Sequence, residues 1–233
     1  MFYKIIPVLL LGLFFFSTNT LPNTNLNLTA NRVTLETTSE AIYHSLNANN
    51  FILPSQESFI KAIEGFFKLK EKGKIQKEIL TLIDFSKSAN AQRMWVIDLA
   101  TNTILYQTFV SHGRNTGNEF ATKFSNVPES YQSSLGFYAT AETYFGKHGF
   151  SLRLDGLEKG INDKARERAI VIHGADYVSE SFIGKNGRLG RSLGCPALPI
   201  EISEEIIKTI QDKSCLFIYY PSKKYEKQSQ LVS

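Results

Sequence analysis

The chain changes character at Ile79-Leu80-Thr81-Leu82-Ile83-Asp84-Phe85, and two similar stretches follow it closely, Met94-Trp95-Val96-Ile97-Asp98-Leu99 and Ile104-Leu105-Tyr106-Gln107-Thr108-Phe109-Val110. β-Branched and aromatic residues dominate all three stretches, and polar turns such as Ala100-Thr101-Asn102-Thr103 separate them. Short apolar runs of this composition, bounded by turn residues, are typical of strands. The middle of the chain therefore predicts an antiparallel β meander.

A helical segment is predicted before these strands, over residues 36–78. Residues 36–47 have helical character, and a stronger helix follows Pro54, with Ser55 as its N-cap and Gly73 at its end. Apolar side chains recur in it at i, i+4, i+7 and i+8, which predicts one buried face. The members of this face are Phe59, Ile63, Phe66 and Phe67.

Four more strands and one more helix are predicted downstream. The strands are at 136–140, 151–154, 169–172 and 215–220, and the helix runs from Ser203, as N-cap, to Ile210. The fold class is therefore mainly β, of the α+β type. We expect an antiparallel β-rich domain over 79–222, preceded by two helices, with one helix near the C-terminus and a polar tail over 223–233.

The first residues have the order of a secretory signal. Lys4 supplies positive charge, an apolar run over 5–16 follows, and polar residues occupy 17–20. The run is shorter than the roughly 20 residues that a membrane-spanning helix needs. We predict a signal peptide over 1–20, a flexible leader over 21–35 and no stable membrane span after processing. An uncleaved anchor is the alternative.

Composition excludes other classes of protein. The 233 residues are 42% hydrophobic and 21% charged, as in an ordinary folded domain with a short extension. The net charge of +4 is small, and no dense Lys/Arg tract is interleaved with aromatic residues. Nucleic acid is therefore not expected as a partner.

One cysteine and one histidine form a candidate catalytic pair. The predicted strand 169–172 runs directly into His173-Gly174, which fixes the imidazole at the end of a rigid element. Cys195 follows in the glycine-containing loop Arg191-Ser192-Leu193-Gly194-Cys195-Pro196. Cysteine hydrolases and acyltransferases need a thiolate, a base and amide donors for the oxyanion. The amides of Gly194 and Cys195 are the candidate donors.

The only other cysteine, Cys215, opens an apolar run that reads as a buried strand. An inert buried thiol is the main interpretation of Cys215, and a disulfide with Cys195 is the alternative.

At this point the sequence resembles the peptidoglycan L,D-transpeptidases with a YkuD-type fold, in their divergent branch with a Ser-x-Gly-Cys-Pro loop. The resemblance extends from about residue 82 to residue 220. An ordered series of motifs carries it: Asp84-Phe85-Ser86, Val96-Ile97-Asp98-Leu99, Ser111-His112-Gly113-Arg114-Asn115-Thr116-Gly117, Phe124-Ser125-Asn126, Ser133-Ser134-Leu135-Gly136-Phe137-Tyr138, Gly146-Lys147-His148-Gly149, Ile172-His173-Gly174-Ala175 and the Cys195 loop.

The resemblance implies an exported enzyme of the periplasm or cell envelope that acts on peptidoglycan peptide stems. Cys195 would attack the stem carbonyl and His173 would be the base. Loss of D-Ala from a tetrapeptide stem and attack by a second amine would form a 3→3 cross-link. Water as acceptor would make the protein an L,D-carboxypeptidase. No cofactor and no metal are implied.

The Cys195 loop departs from the commoner family pattern. Leu193 stands where that pattern has His, and Ala197 stands where it has Arg or Asn. Arg191 or Arg188 is therefore the candidate ligand of the substrate carboxylate. Ser192 and His112 are further candidates for substrate binding, and the alternative for His112 is a loop histidine bonded to backbone. A structural role is slightly favoured for His148, and a turn role for Ser133 and Ser134.

Two other functions remain open. A zinc hydrolase would use His112, His148, His173 and Cys195, although no His-Glu-x-x-His pair is present. A non-catalytic peptidoglycan-binding protein would use the same fold with an idle site.

Overall fold

A computed structural model describes residues 37–232. The predicted signal peptide and leader lie outside the described residues. The strands are β1 (Ile79–Asp84), β2 (Met94–Asp98), β3 (Thr103–Thr108), β4 (Gly136–Gly146), β5 (Gly149–Gly156), β6 (Val171–Gly174), β7 (Ala197–Leu198) and β8 (Cys215–Tyr219). The helices are α1 (37–44), α2 (Gln56–Glu71), α3 (Glu180–Asn186), α4 (Ile200–Ile210) and α5 (Lys223–Gln228).

All eight strands belong to one sheet, in the order β3-β2-β1-β8-β4-β5-β6-β7. The meander of β1, β2 and β3 is antiparallel, as predicted. The sheet as a whole is mixed, because β8 pairs in parallel with β1 and β7 pairs in parallel with β6. The α+β, β-rich fold class is confirmed, and the two parallel pairs bring chain segments together that are distant in sequence.

Helix α2 covers the centre of this sheet and forms much of the core with it. Its N-cap is Ser55, whose hydroxyl accepts a hydrogen bond from the Ser58 amide, and Gly73 follows its end with a φ of 64°. Of the predicted apolar face, Phe59, Ile63 and Phe66 are fully buried, and Phe67 is only partly buried at its edge. A side chain at position 65 of this helix would collide with the ring of Phe137 on β4, so Gly65 permits close packing of helix on sheet.

The start of α4 differs from the prediction. The helix begins at Ile200 after Pro199, and Ser203 lies inside its first turn, where its hydroxyl donates to the Ile200 carbonyl. Proline is well suited to a helix start because its fixed φ and missing N–H cost nothing there. Ile206, Ile207 and Ile210 are fully buried, as predicted.

Residues 223–232 pack onto the domain, which their polar composition did not indicate. Helix α5 lies here, and the side chains of Tyr225, Leu231 and Val232 are buried. Tyr225 and Ser229 donate hydrogen bonds to the buried carboxylate of Glu158, which also accepts one from the Phe137 amide. These bonds attach α5 to the start of β4, far from the Cys195 loop in sequence.

Candidate active site

His173 is the third residue of β6 and lies between two neighbouring strands. It is paired with Ser151 on β5 and with Ala197 on β7, and its side chain is almost completely buried. Nδ1 lies 2.9 Å from the Gly174 carbonyl oxygen, which can only accept, so Nδ1 carries the proton of the neutral ring. Nε2 then has the lone pair that a general base needs.

Cys195 comes two residues before the register partner of His173, which places it opposite the start of β6. Its Sγ donates to the Ala169 carbonyl oxygen across 3.7 Å and accepts from the Val171 amide. Among the described residues, no hydrogen bond joins Sγ to the ring of His173. The structure therefore brings the two residues onto adjacent segments, His173 on β6 and Cys195 in the loop just before β7, with the thiol turned toward the β6 backbone.

The resting site holds a neutral thiol and a neutral imidazole. Burial raises the pKa of the Cys195 thiol, although the Val171 amide and the positive charges of Arg168 and Lys147 oppose that shift. Burial also lowers the pKa of His173, as do the nearby charges of His148 and Lys147. A neutral base and a neutral thiol on neighbouring segments favour proton transfer during attack over a preformed ion pair.

Ser192 holds the Cys195 loop from inside. Its hydroxyl accepts from the Gly194 amide at 3.0 Å and donates to the Cys195 carbonyl at 2.6 Å. The Gly194 amide is therefore occupied and is not available as an oxyanion donor, contrary to the prediction. The Cys195 amide has no acceptor within the part of the chain that the structure describes, so it is available as a donor, unlike the amide of Gly194.

Ser133 supports the same loop from the opposite side. Its buried hydroxyl accepts from the Gly113 amide and donates to the Gly194 carbonyl, both at 3.1 Å. Gly194 has a φ of 128°, a conformation that side chains other than glycine rarely adopt. Two serines thus fix the two peptide groups before the nucleophile candidate. Turn composition around Ser133 gave no signal of this contact.

His112 is a structural residue and not a lining residue of the site. It is fully buried, its Nδ1 accepts from Arg93 Nη2 at 2.8 Å, and its Nε2 donates to the Asn118 carbonyl at 3.0 Å. Both ring nitrogens are occupied. The loop interpretation of His112 therefore fits the structure, and the substrate-binding interpretation does not.

The two candidate ligands of a substrate carboxylate hold backbone in this structure. Arg191 Nη1 donates to the carbonyls of Arg114 and Gly117 and to Asn118 Oδ1, which attaches the Cys195 loop to residues 114–118. Arg188 Nη1 donates to the Leu189 carbonyl. A role for either in substrate binding stays a prediction.

Sequence reasoning missed Arg168. Its guanidinium donates to the carbonyls of Ser125 and Gln132 at 2.8 and 2.6 Å and to the hydroxyl of Ser134. It lies beside Gly194, and its positive charge lowers the pKa of the Cys195 thiol, against the effect of burial. Nothing in the local sequence around residue 168 indicates this role, because its hydrogen-bond partners lie 34 to 43 residues upstream.

His148 lies beside the candidate base. It is in the turn between β4 and β5, and its ring stacks on that of His173 with centroids 4.4 Å apart and planes 22° from parallel. A structural role was slightly favoured for His148 from the sequence, which contains no signal for this stack.

The zinc alternative finds no ligand set within residues 37–232. Both nitrogens of His112 are occupied by protein partners, and no group of three or more His, Cys, Asp or Glu side chains in that range could hold a metal ion.

Cys195 and Cys215 are both free thiols, and Cys215 is fully buried in β8. None of the described helices is both long and apolar enough to cross a bilayer.

Comparison with known proteins gives one family. The family model of the L,D-transpeptidase catalytic domain matches residues 53–219 of this chain. No curated protein sequence matches the chain. Among solved structures, an L,D-transpeptidase from Mycobacterium smegmatis is similar at 12% identity and a TM-score of 0.38, over 61% of this chain and 59% of that one.

Other solved structures are also similar to this chain. The helical cell shape determining protein Pgp2 (K307A mutant) from Campylobacter jejuni has 16% identity and a TM-score of 0.40, over 70% of this chain and 57% of that one. An L,D-transpeptidase from Stackebrandtia nassauensis has 14% identity and a TM-score of 0.36, over 72% of this chain and 68% of that one. The chain thus spans less than two thirds of the length of the Mycobacterium and Campylobacter proteins.

Proposed function

The chain belongs to the L,D-transpeptidase catalytic domain family, and we propose that it transfers acyl groups between peptidoglycan peptide stems through a thioester on Cys195. One observation carries the proposal. Cys195 ends a loop that two serines hold by hydrogen bonds, its own amide has no acceptor among the described residues, and it lies just before β7, the strand that pairs with the His173 strand. Nucleophile, oxyanion donor and base thus come from two adjacent segments of backbone.

The proposed reaction has two steps. Rotation of the thiol away from the Ala169 carbonyl brings Sγ toward His173, and Nε2 takes its proton as the sulfur attacks the carbonyl of the third stem residue. The Cys195 amide donates to the oxyanion. The C–N bond to the terminal D-Ala then breaks, and His173 returns the proton to the leaving amine. An amine of a second stem attacks the thioester, frees the thiol and forms a 3→3 cross-link.

Export is part of the proposal. The basic end, apolar run and polar region of residues 1–20 support secretion to the periplasm or cell envelope, where peptidoglycan is found. With water as the acceptor, the same thioester would give an L,D-carboxypeptidase reaction. A non-catalytic peptidoglycan-binding protein is a second candidate, because the thiol in this structure is bonded to backbone and not to His173.

Intact-mass spectrometry of the protein incubated with a disaccharide-tetrapeptide tests the proposal. We expect an adduct equal to the donor minus D-Ala on the wild type, and none on Cys195→Ala. Cys215→Ala is the matched control, because Cys215 is a fully buried thiol in β8, and it should form the adduct. Released products identify the acceptor as amine or water. A folded wild-type protein with a reduced thiol and no adduct would rule out this donor chemistry.

A further inference from the structure

The turn between β4 and β5 brings a second imidazole to the candidate base. Gly146 pairs with Gly149, so Lys147 and His148 form the tip of a tight hairpin, and Gly149 has a φ of 75°. Such a left-handed residue after a two-residue turn is a common hairpin closure and fixes the direction of the tip. The tip is turned toward β6, where Ser151 of β5 is the register partner of His173.

The contact between the two rings is a parallel stack. Centroids 4.4 Å apart with planes at 22° place one face of the His173 ring against the ring of His148. His148 itself is exposed to solvent, whereas His173 is only 2% exposed. The His148 ring therefore separates His173 from water on that face.

Two contacts together fix the orientation of the His173 ring. The hydrogen bond from Nδ1 to the Gly174 carbonyl holds one edge, and the stack holds one face. Because a side chain with one hydrogen bond can still rotate about that bond, the stack restricts the remaining freedom. Of the two nitrogens of the His173 ring, Nε2 is therefore the one without a hydrogen-bond partner among the described residues.

We propose that His148 is a positioning residue for His173, and that its ring holds the base in the orientation and dry environment that proton transfer from Cys195 requires. This inference rests on the proposed function, in which His173 is the base. His148 touches neither the thiol nor the reacting carbonyl in this arrangement and acts only through His173. A misplaced base loses rate steeply, because proton transfer needs close approach and alignment.

The charges around His173 are consistent with this role. Besides burial, the groups that shift the pKa of His173 are His148 and Lys147 from the hairpin tip, which lower it, and the Gly174 carbonyl of its own strand, which raises it. Within residues 37–232, no carboxylate contributes to the pKa of His173, and burial, His148 and Lys147 all lower it. A lowered pKa keeps the imidazole neutral, and so able to accept a proton, as the pH falls below neutrality.

The test compares His148→Ala with His148→Phe in the full chain. His148→Ala should lower kcat by about tenfold with little change in KM, because the ring of His173 is released. It should also raise the pKa of His173, since water reaches the uncovered face. The acid limb of the kcat/KM profile then moves to higher pH. His148→Phe keeps an aromatic face over His173 and should restore most of the lost rate.

Two readouts do not depend on the proposed donor. NMR titration of the His173 ring measures its pKa, and the rate of Cys195 alkylation by iodoacetamide measures thiol reactivity. If the tetrapeptide gives no adduct but His148→Ala still raises the pKa of His173, the proposed function fails and the positioning contact stands. An unchanged pKa and unchanged kcat in His148→Ala would overturn the inference. Equal losses in the Ala and Phe variants would also overturn it, since they would require the imidazole itself.

His44→Ala is the matched control for these variants. His44 lies in α1, where its ring contacts Tyr43, outside the site described above. The His44→Ala substitution removes the same kind of side chain without changing the hairpin, so the pKa of His173 and kcat should both stay at their wild-type values.

Discussion

Arg93 donates from Nη2 to His112 Nδ1 across 2.8 Å in the interior of the domain, where both residues are fully buried. The same guanidinium donates to the carbonyl of Val110, just after β3, and to that of Lys87, in the loop between β1 and β2, so it connects these two loops. Burial lowers the pKa of Arg93 to about 9, which still leaves it charged at neutral pH. A protonated His112 would place a second positive charge against this guanidinium.

The first prediction concerns pH and stability. Burial and the charge of Arg93 lower the pKa of His112 to about 4. In the unfolded chain a histidine titrates near 6.5, so between these values the unfolded state binds the proton more readily. The free energy of unfolding should therefore fall as pH decreases through this window, by about 3 kcal/mol in total. Urea unfolding at a series of pH values measures this loss.

His112→Gln is the control for the pH prediction. A glutamine does not titrate and can both accept from Arg93 and donate to a carbonyl. Part of the pH dependence remains, because the pKa of His173 is lowered as well. The slope of stability against pH should nevertheless be smaller in His112→Gln than in the wild type. Identical slopes would show that His112 does not carry this dependence.

The second prediction concerns Gly194. A Cβ at this position would lie 3.0 Å from the Gln132 carbonyl oxygen and 3.0 Å from Ile170 Cδ1, at a φ of 128°. Gly194→Ala should destabilise the protein by about 1–3 kcal/mol. It should also slow the alkylation of Cys195 and the formation of any acyl adduct, because the backbone next to the nucleophile candidate must shift.

Gly187→Ala separates backbone strain from effects on the site. Gly187 ends α3 with a φ of 74°, and nothing lies within 4 Å of a Cβ built there. This variant should lose about 1 kcal/mol from the positive φ alone and keep the wild-type reactivity of Cys195. A Gly194→Ala variant that behaves like Gly187→Ala would contradict the crowding argument.

The third prediction concerns Ser133, whose hydroxyl joins the Gly113 amide to the Gly194 carbonyl. Removal of the hydroxyl leaves a buried donor and a buried acceptor without this partner. Ser133→Ala should therefore lower the free energy of unfolding by about 1–3 kcal/mol. It should also change the rate of Cys195 alkylation, because the loop loses one of its two supports. Chemical denaturation and alkylation kinetics measure the two effects.

Ser181→Ala provides the comparison for Ser133. Ser181 is exposed in the first turn of α3, and within residues 37–232 its hydroxyl is hydrogen-bonded to that of Ser179 alone. Its loss should change stability by less than about 0.5 kcal/mol and leave the thiol unaffected. If Ser133→Ala is equally silent, the bridge from Gly113 to Gly194 does not support the loop.

Local patterns in the sequence determined the elements of the fold. The periodicity of α2, its cap at Ser55 and the three strands of the meander follow from neighbouring residues, because side-chain spacing and capping act over a single turn or strand. For the same reason the strand that carries His173 and the glycine-containing loop of Cys195 could be identified. The start of α4 was misplaced because Pro199 and Ser203 are both acceptable local starts.

Only the tertiary structure decided what surrounds the candidate nucleophile. Ser133 reaches Gly194 across a separation of 61 residues, and Arg168 reaches Gln132 across 36. The stack of His148 on His173 depends on the pairing of β5 with β6. Contacts of this kind follow from strand register and sheet order, which residue spacing along the chain does not encode. The sequence alone thus indicated Cys195 and His173 as the candidate nucleophile and base, whereas the fold determined which amide is free, which way the thiol points and which ring covers the candidate base.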